Sequence, residues 1–193
     1  HNDRIAWSFT ANDADIFDLY EEKLDVSNPK RYVFEREKQR LSSRRVKIRV
    51  RSKVGVEEVG RELQYSHHGP IYKVVDNWAY AARTTADDIT DLIGQLYEMN
   101  RAQDLRAFRA ALARLEVPVF NVTYADSDGN VYYVFLSRTP IRAQKFDWRN
   151  PVPGWTKETD WGGILPFSWP ARIDQAHVAT NTYCIMAFGI SKR

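Results

Sequence analysis

The adjacent pair His67-His68, followed by Gly69-Pro70, is the first place in this sequence where residue type suggests chemistry. Two imidazoles could ligate a metal. However, neighbours on a strand face opposite sides, and no acid or third histidine is spaced near them, so a turn or strand end is the favoured reading. The run Asp126-Ser127-Asp128-Gly129-Asn130 opens like a calcium loop. Its glycine is misplaced, and Ser137 stands where a bidentate glutamate should fall, so a β-turn is the expectation. Histidines also occur at His1 and His177, but no Gly-x-Ser-x-Gly elbow accompanies them, and the single cysteine, Cys184, has no reactive context. Gly154 and the pair Gly162-Gly163 do not bridge a strand and a helix as a phosphate loop would. Residue chemistry alone therefore offers no complete catalytic set.

The elements that would position these residues change character along the chain. Up to residue 84 the pattern is mostly β. Strands are predicted near Tyr32-Val33-Phe34, over 44–52 and 57–65 as a hairpin around Lys53-Val54-Gly55, and at 71–75 and 78–83. In the basic strand Arg44 to Arg51, Val46, Ile48 and Val50 fall on one side and cations on the other, with Glu57, Glu58 and Glu62 available to pair across strands. Two helices are predicted next, about 86–100 and 101–116. Thr85 would cap the first, which would bury Ile89, Leu92, Ile93, Leu96 and Tyr97. Asn100 would cap the second, with Leu105, Phe108, Leu112 and Leu115 on its stripe. They should pack on a hairpin of 117–124 and 131–136, whose apolar runs suit strands buried on both faces. Beyond Pro140 a stretch rich in Trp, Pro and Gly reads as a long ordered loop pinned by aromatic packing. The expectation is one α+β domain over residues 1–193.

With 28 basic and 25 acidic residues the net charge is +3, too weak a field to imply nucleic acid as a partner. One cysteine excludes an intrachain disulfide and a cysteine metal cage. No apolar run approaches the ~20 residues that span a bilayer, so no membrane partner is expected. The chain opens His1-Asn2-Asp3-Arg4, without an initiator methionine, as a processed product or a fragment would.

Several blocks in order carry a resemblance. His1-Asn2-Asp3-Arg4-Ile5-Ala6-Trp7 with Thr10-Ala11 and Asp15-Ile16-Phe17, then His68-Gly69-Pro70, then Asn121 to Val131, then Pro151-Val152-Pro153-Gly154 with Asp160 to Phe167 resemble the successive motifs of the penicillin acylase family of N-terminal-nucleophile hydrolases. That family includes penicillin amidases and acyl-homoserine-lactone acylases. The resemblance implies an αββα sandwich and a precursor cut into two chains. It also implies a serine at the start of the second chain, whose own α-amine is the base. The present chain would be an internal part of that second, β, chain. The nucleophile would lie ahead of His1, and the α-subunit and the rest of the β-subunit would be partners.

Position by position, the resemblance makes the Ala11 amide one half of the oxyanion hole and Asn181 the other, or Tyr183 if the register differs. Phe9, Leu96, Tyr97 and Phe120 fall at or beside acyl-pocket positions. Asn12, the Ala14 carbonyl and Asp15 match a shortened structural calcium loop, with a further ligand position at Trp148; no other cofactor is implied. The parent would be a periplasmic or secreted amide hydrolase that releases an apolar acyl group through a serine acyl-enzyme, and this chain alone would be inactive. The alternative is a non-catalytic relative that binds a ligand or partner through its aromatic loop, Trp148 to Trp169. Open sheet edges would permit a homodimer in either case.

Overall fold

A computed structural model describes residues 1–167 and the backbone of 172–174. The strands in chain order are β1 Ile5–Thr10, β2 Phe17–Asp25, β3 Asn28–Phe34, β4 Glu37–Arg40, β5 Ser42–Ser52, β6 Gly55–Tyr65, β7 Ile71–Val75, β8 Trp78–Thr84, β9 Val119–Asp126, β10 Val131–Ser137, β11 Val152–Pro153 and β12 Arg172–Asp174. The helices are α1 Leu92–Arg101 and α2 Leu105–Leu112. Contacts group the chain into two compact units. The first is His1–Ile16, Thr85–Pro140 and the described residues from Ile164 onward; the second is Phe17–Thr84 with Ile141–Gly163.

In the first unit an antiparallel sheet runs β1-β9-β10-β12. Directly paired residues share a face, so the pairs Trp7↔Tyr124, Phe9↔Val122, Tyr124↔Tyr132 and Val122↔Val134 direct their side chains to one side of the sheet. The core of this unit joins Ile5, Val122, Tyr124, Tyr132, Val134 and Leu136 from the sheet to Met99, Phe108 and Leu112 from the helices. The expected burial on both faces is not found: Tyr132, Val134 and Leu136 are buried while Val131 is exposed and Tyr133 and Phe135 lie between. Strand β10 alternates, its buried side facing the helices, whereas β9 is buried continuously over Tyr124 to Asp126.

The helices begin later than their sequence pattern predicts. Thr85–Asp88 forms a short 3-10 turn. The Glu116 carboxylate then accepts the amides of Thr90 and Asp91 at 2.9 and 3.2 Å, ending that turn. Asp91 caps α1 through Gly94 N–H, and Asp104, not Asn100, caps α2 through Ala107 N–H. The late start rotates the stripe of α1. Gln95 and Met99 are buried while Ile93 and Tyr97 are exposed. Gln95 takes the inward place because its Oε1 accepts the amides of Glu116 and Val117 at 2.5 and 3.0 Å. The α2 stripe keeps Leu105, Phe108 and Leu112 as expected, but the helix ends at Leu112, short of the predicted 116, and Leu115, at φ +54°, lies beyond it.

The turn between β9 and β10 is closed by Asp126. Its carboxylate accepts from the amides of Asp128 and Asn130, from Asn130 Nδ2 and from the Tyr124 hydroxyl, at 2.8–3.1 Å. Gly129 adopts φ +89°, which a side chain would disfavour. Burial would raise the Asp126 carboxyl, but these hydrogen bonds hold it below its ordinary value. With its oxygens so occupied, the turn reading is the one the structure supports.

The second unit is a sheet ordered β4-β3-β2-β8-β7, with β11 parallel to β2, and a two-stranded hairpin β5-β6. That hairpin has the expected register, Arg45↔Glu62 and Arg49↔Glu58, with Lys47 paired to Glu58 at 2.8 Å. Strand β2 decides what the interior contains. Its alternation buries Asp18, Tyr20, Glu22 and Leu24 and turns Phe17, Leu19, Glu21 and Lys23 outward or partly outward. Two acids thus enter the core beside two apolar side chains. Segment 141–163 is fastened to this face: Arg142 Nε and Trp161 Nε1 each donate to Asp18 Oδ2 at 2.7 Å, and Gly154 N–H donates to the Glu21 carbonyl at 2.8 Å. Over residues 141–163 the predicted loop is held by a buried carboxylate as much as by aromatic rings; its far end, 168–170, lies outside the described residues. Among the described residues no helix is long and apolar enough to cross a membrane.

Candidate functional site

Two places bring chemically capable groups together, one in each unit. In the first, the end of β1 lies against β9 with Thr10 opposite Asn121. Asn121 Nδ2 donates to the Ala11 carbonyl at 3.1 Å and to Thr10 Oγ1 at 3.3 Å, while its Oδ1 accepts from the Tyr133 hydroxyl at 2.8 Å. One side-chain amide therefore fixes the peptide chain at Ala11, and Tyr133 fixes that amide. Ala11 is itself exposed. A methyl side chain leaves a backbone N–H approachable, as an oxyanion donor must be. Beside it, Phe9 is 46% exposed and meets Phe120 edge-on, ring centroids 4.5 Å apart, with Trp7 stacked behind Phe9 at 5.9 Å.

The next loop folds on itself. Asn12 Nδ2 donates to the Leu136 carbonyl at 3.0 Å and Asn12 Oδ1 accepts the Ala14 amide at 3.1 Å. Calcium takes six to eight oxygens. Asn12, Ala14 and Asp15 offer three positions, one of whose oxygens already accepts a hydrogen bond. The loop by itself does not fit a complete calcium site.

In the second unit, the turn after β6 carries His67 and His68. Gly69 has φ +153°, and a Cβ there would lie 2.0 Å from the Ala82 carbonyl oxygen, so only glycine permits this approach of the turn to β8. The consequence is that both imidazoles face the same neighbourhood, ring centroids 3.8 Å apart. His68 stacks on Tyr20 at 3.7 Å, and its Nδ1 lies 2.8 Å from Glu22 Oε1 and its Nε2 3.1 Å from Asp160 Oδ1. His67 Nδ1 lies 2.9 Å from the Tyr32 hydroxyl, and its Nε2 3.7 Å from Asp160. Burial, then the neighbouring His68, lower the His67 pKa; burial raises the hydroxyls of Tyr20 and Tyr32. The expectation that no acid stands near these histidines is corrected: Glu22 and Asp160, 46 and 92 residues away in sequence, supply two.

The penicillin amidase family model matches residues 1–182. The chain belongs to that family. It is 29% identical to penicillin G acylase of Escherichia coli over 178 residues, covering 90% of this chain and 20% of that protein. It is likewise 29% identical to the acyl-homoserine lactone acylase PvdQ of Pseudomonas fluorescens over 147 residues, 72% of this chain and 19% of the other. Among solved structures, the thermostable penicillin G acylase from Alcaligenes faecalis matches with a TM-score of 0.79 at 24% identity, over 90% of this chain and 31% of that one. The fold is thus the mainly antiparallel α+β fold of penicillin acylases. The chain spans about a fifth of the length of these curated relatives.

Of the site residues that the penicillin amidase resemblance implies, the structure brings Phe9, Ala11 and Phe120 to one end of the β1–β9 pair. Leu96 packs against the apolar core of the same unit, as does Phe120. Tyr97 lies on the exposed side of α1, 59% exposed, with Arg101 donating to its hydroxyl at 3.1 Å. An open cavity of about 580 Å³ in this unit is lined by Asp104, Arg106, Arg109 and Phe167 and by none of the four pocket residues. Asn181 and Tyr183 lie outside the described residues. Asn121 stands in a motif of the sequence that gives no sign of its contact with Ala11; its place opposite Thr10 in the strand register brings that contact about.

Proposed function

We propose that this chain is part of the β-subunit core of an acylase that hydrolyses the amide between an apolar acyl group and an amine. The observation that supports the reading is the exposed Ala11 peptide held by Asn121, at the residue whose motif resembles the one that carries the family's oxyanion donor. A serine hydroxyl from polypeptide beyond these 193 residues would attack the amide carbonyl, with that serine's own α-amine taking its proton. The oxygen of the tetrahedral intermediate would accept a hydrogen bond from Ala11 N–H, with Asn181, or Tyr183, as the second donor. Collapse, with the α-ammonium passing that proton to the leaving nitrogen, would release the amine and leave the acyl-enzyme, which water cleaves with the α-amine again taking the proton. Phe9 and Phe120 supply an apolar edge for the acyl chain. The parent enzyme would act in the periplasm or outside the cell. Any calcium bound at Asn12, Ala14 and Asp15 would need further oxygens from other polypeptide and would serve structure only.

The test replaces Ala11 in the complete acylase that contains this segment. Ala11→Pro deletes the donor and should lower kcat about 10²- to 10³-fold, whereas Ala11→Gly retains it and should keep kcat within a few fold. Undiminished kcat in a folded Ala11→Pro enzyme would refute the assignment.

A further inference from the structure

We propose that Glu22, His67 and His68 form a binding site for a divalent transition-metal ion of the zinc type, with Asp160 holding His68 from behind. Potential ligand atoms of these three residues all lie within 4.8 Å of one another. Glu22 is fully buried; its Oε1 faces His68, and its Oε2, on the side of Gly154, has no hydrogen-bond partner among the described residues, so the carboxylate as a whole is short of positive charge that an ion bound through Oε1 would supply. An unpartnered buried carboxylate oxygen is costly, and a cation is among the things that satisfy one.

The surroundings match what a metal-ligating histidine requires. When one imidazole nitrogen binds a metal, the other ordinarily donates to a carboxylate that fixes the ring's tautomer and tilt. With His68 Nδ1 directed at Glu22, 2.8 Å away, Nε2 is directed at Asp160, 3.1 Å away. Tyr20, stacked at 3.7 Å, leaves the ring little room to turn. Ligands bound tetrahedrally at zinc distances stand about 3.3 Å apart, so the Glu22–His68 gap would open by about 0.5 Å as the ion replaces the shared proton. His67 completes the set from the open side. The His67 and Asp160 side chains are 28% and 39% exposed, whereas those of Glu22 and His68 are fully buried, so an ion has a route in and a fourth position for water. Two nitrogens and one carboxylate select a zinc-like ion over calcium or magnesium, which take oxygen donors.

The chain, dialysed against zinc chloride and then metal-free buffer, should retain one zinc per chain by elemental analysis and unfold at a higher temperature, while calcium chloride should change neither. His67→Gln, at a partly exposed position and with its fold checked by circular dichroism, should reduce zinc affinity by roughly tenfold or more, and Asp160→Asn by roughly 10- to 100-fold. His1→Ala should retain the ion. Wild-type chain that is folded and zinc-free after this treatment would overturn the proposal, as would undiminished zinc in His67→Gln.

Discussion

The two units solve the problem of an interior in opposite ways. The first places an apolar set, from Ile5 to Leu136, between one sheet face and two helices, and sends its best-satisfied carboxylate, Asp126, to the hairpin tip. The second buries Asp18, Glu22 and His68 in its centre, each at 3% exposure or less. An apolar core loses stability in proportion to the volume removed. A polar one fails when a partner is left alone. The contrast follows from one strand: β2 alternates acids and apolar residues on its inward face, where β10 alternates apolar residues only.

Mutations that remove volume or partners test this difference. Phe108, fully buried against Tyr124 and Trp7, should cost about 3–5 kcal/mol as Phe108→Ala by denaturant unfolding. His68→Ala should cost as much, about 3–5 kcal/mol, although the side chain is smaller, because Glu22 is left buried and unpaired. The comparison sharpens if a second change, Glu22→Leu, then restores stability in the His68→Leu background, since apolar replacement of both partners can be neutral. No such rescue is expected around Phe108. A loss at position 68 no larger than an exposed substitution would break the contrast.

Smaller effects follow at the edges. Asp126→Ala should cost about 1–3 kcal/mol by leaving the Tyr124 hydroxyl and turn amides unpaired. Its folded pKa lies below the ordinary 3.8, so it binds fewer protons folded than unfolded. The stabilisation is present above that value and lost as pH falls through the lowered one, and Asp126→Asn should flatten acid unfolding there. Asp104→Ala removes the α2 cap, for about 1 kcal/mol. Lys47→Ala, on the exposed β5–β6 hairpin, should change stability by about 0–1 kcal/mol, less at high salt.

Much of the first unit was legible in the sequence. The hairpin with its Asp-x-Asp-Gly-Asn turn and the α2 stripe follow from local periodicity and turn chemistry. The start of α1 was not, because Glu116, 25 residues beyond Asp91, takes the amides of Thr90 and Asp91 inside the helix that Thr85 was expected to cap. The interior of the second unit was hidden for a similar reason. Local pattern does not say which of Glu21 and Glu22 points inward, and the partners of His68 come from 46 residues before and 92 after it. Ordered motifs in the sequence mark the Ala11 neighbourhood, whereas the hold of Asn121 on it follows only from the strand register that sets Asn121 against Thr10.

The proposed function assigns these 193 residues part of an oxyanion site and would leave the attacking serine to other polypeptide. The direct measurement is release of chromophore from phenylacetyl and long-chain acyl amides by the folded chain alone. The account predicts no turnover above buffer, and turnover regained when the chain is part of the complete two-subunit acylase. Turnover by the isolated chain, abolished by Asn181→Ala, would contradict it.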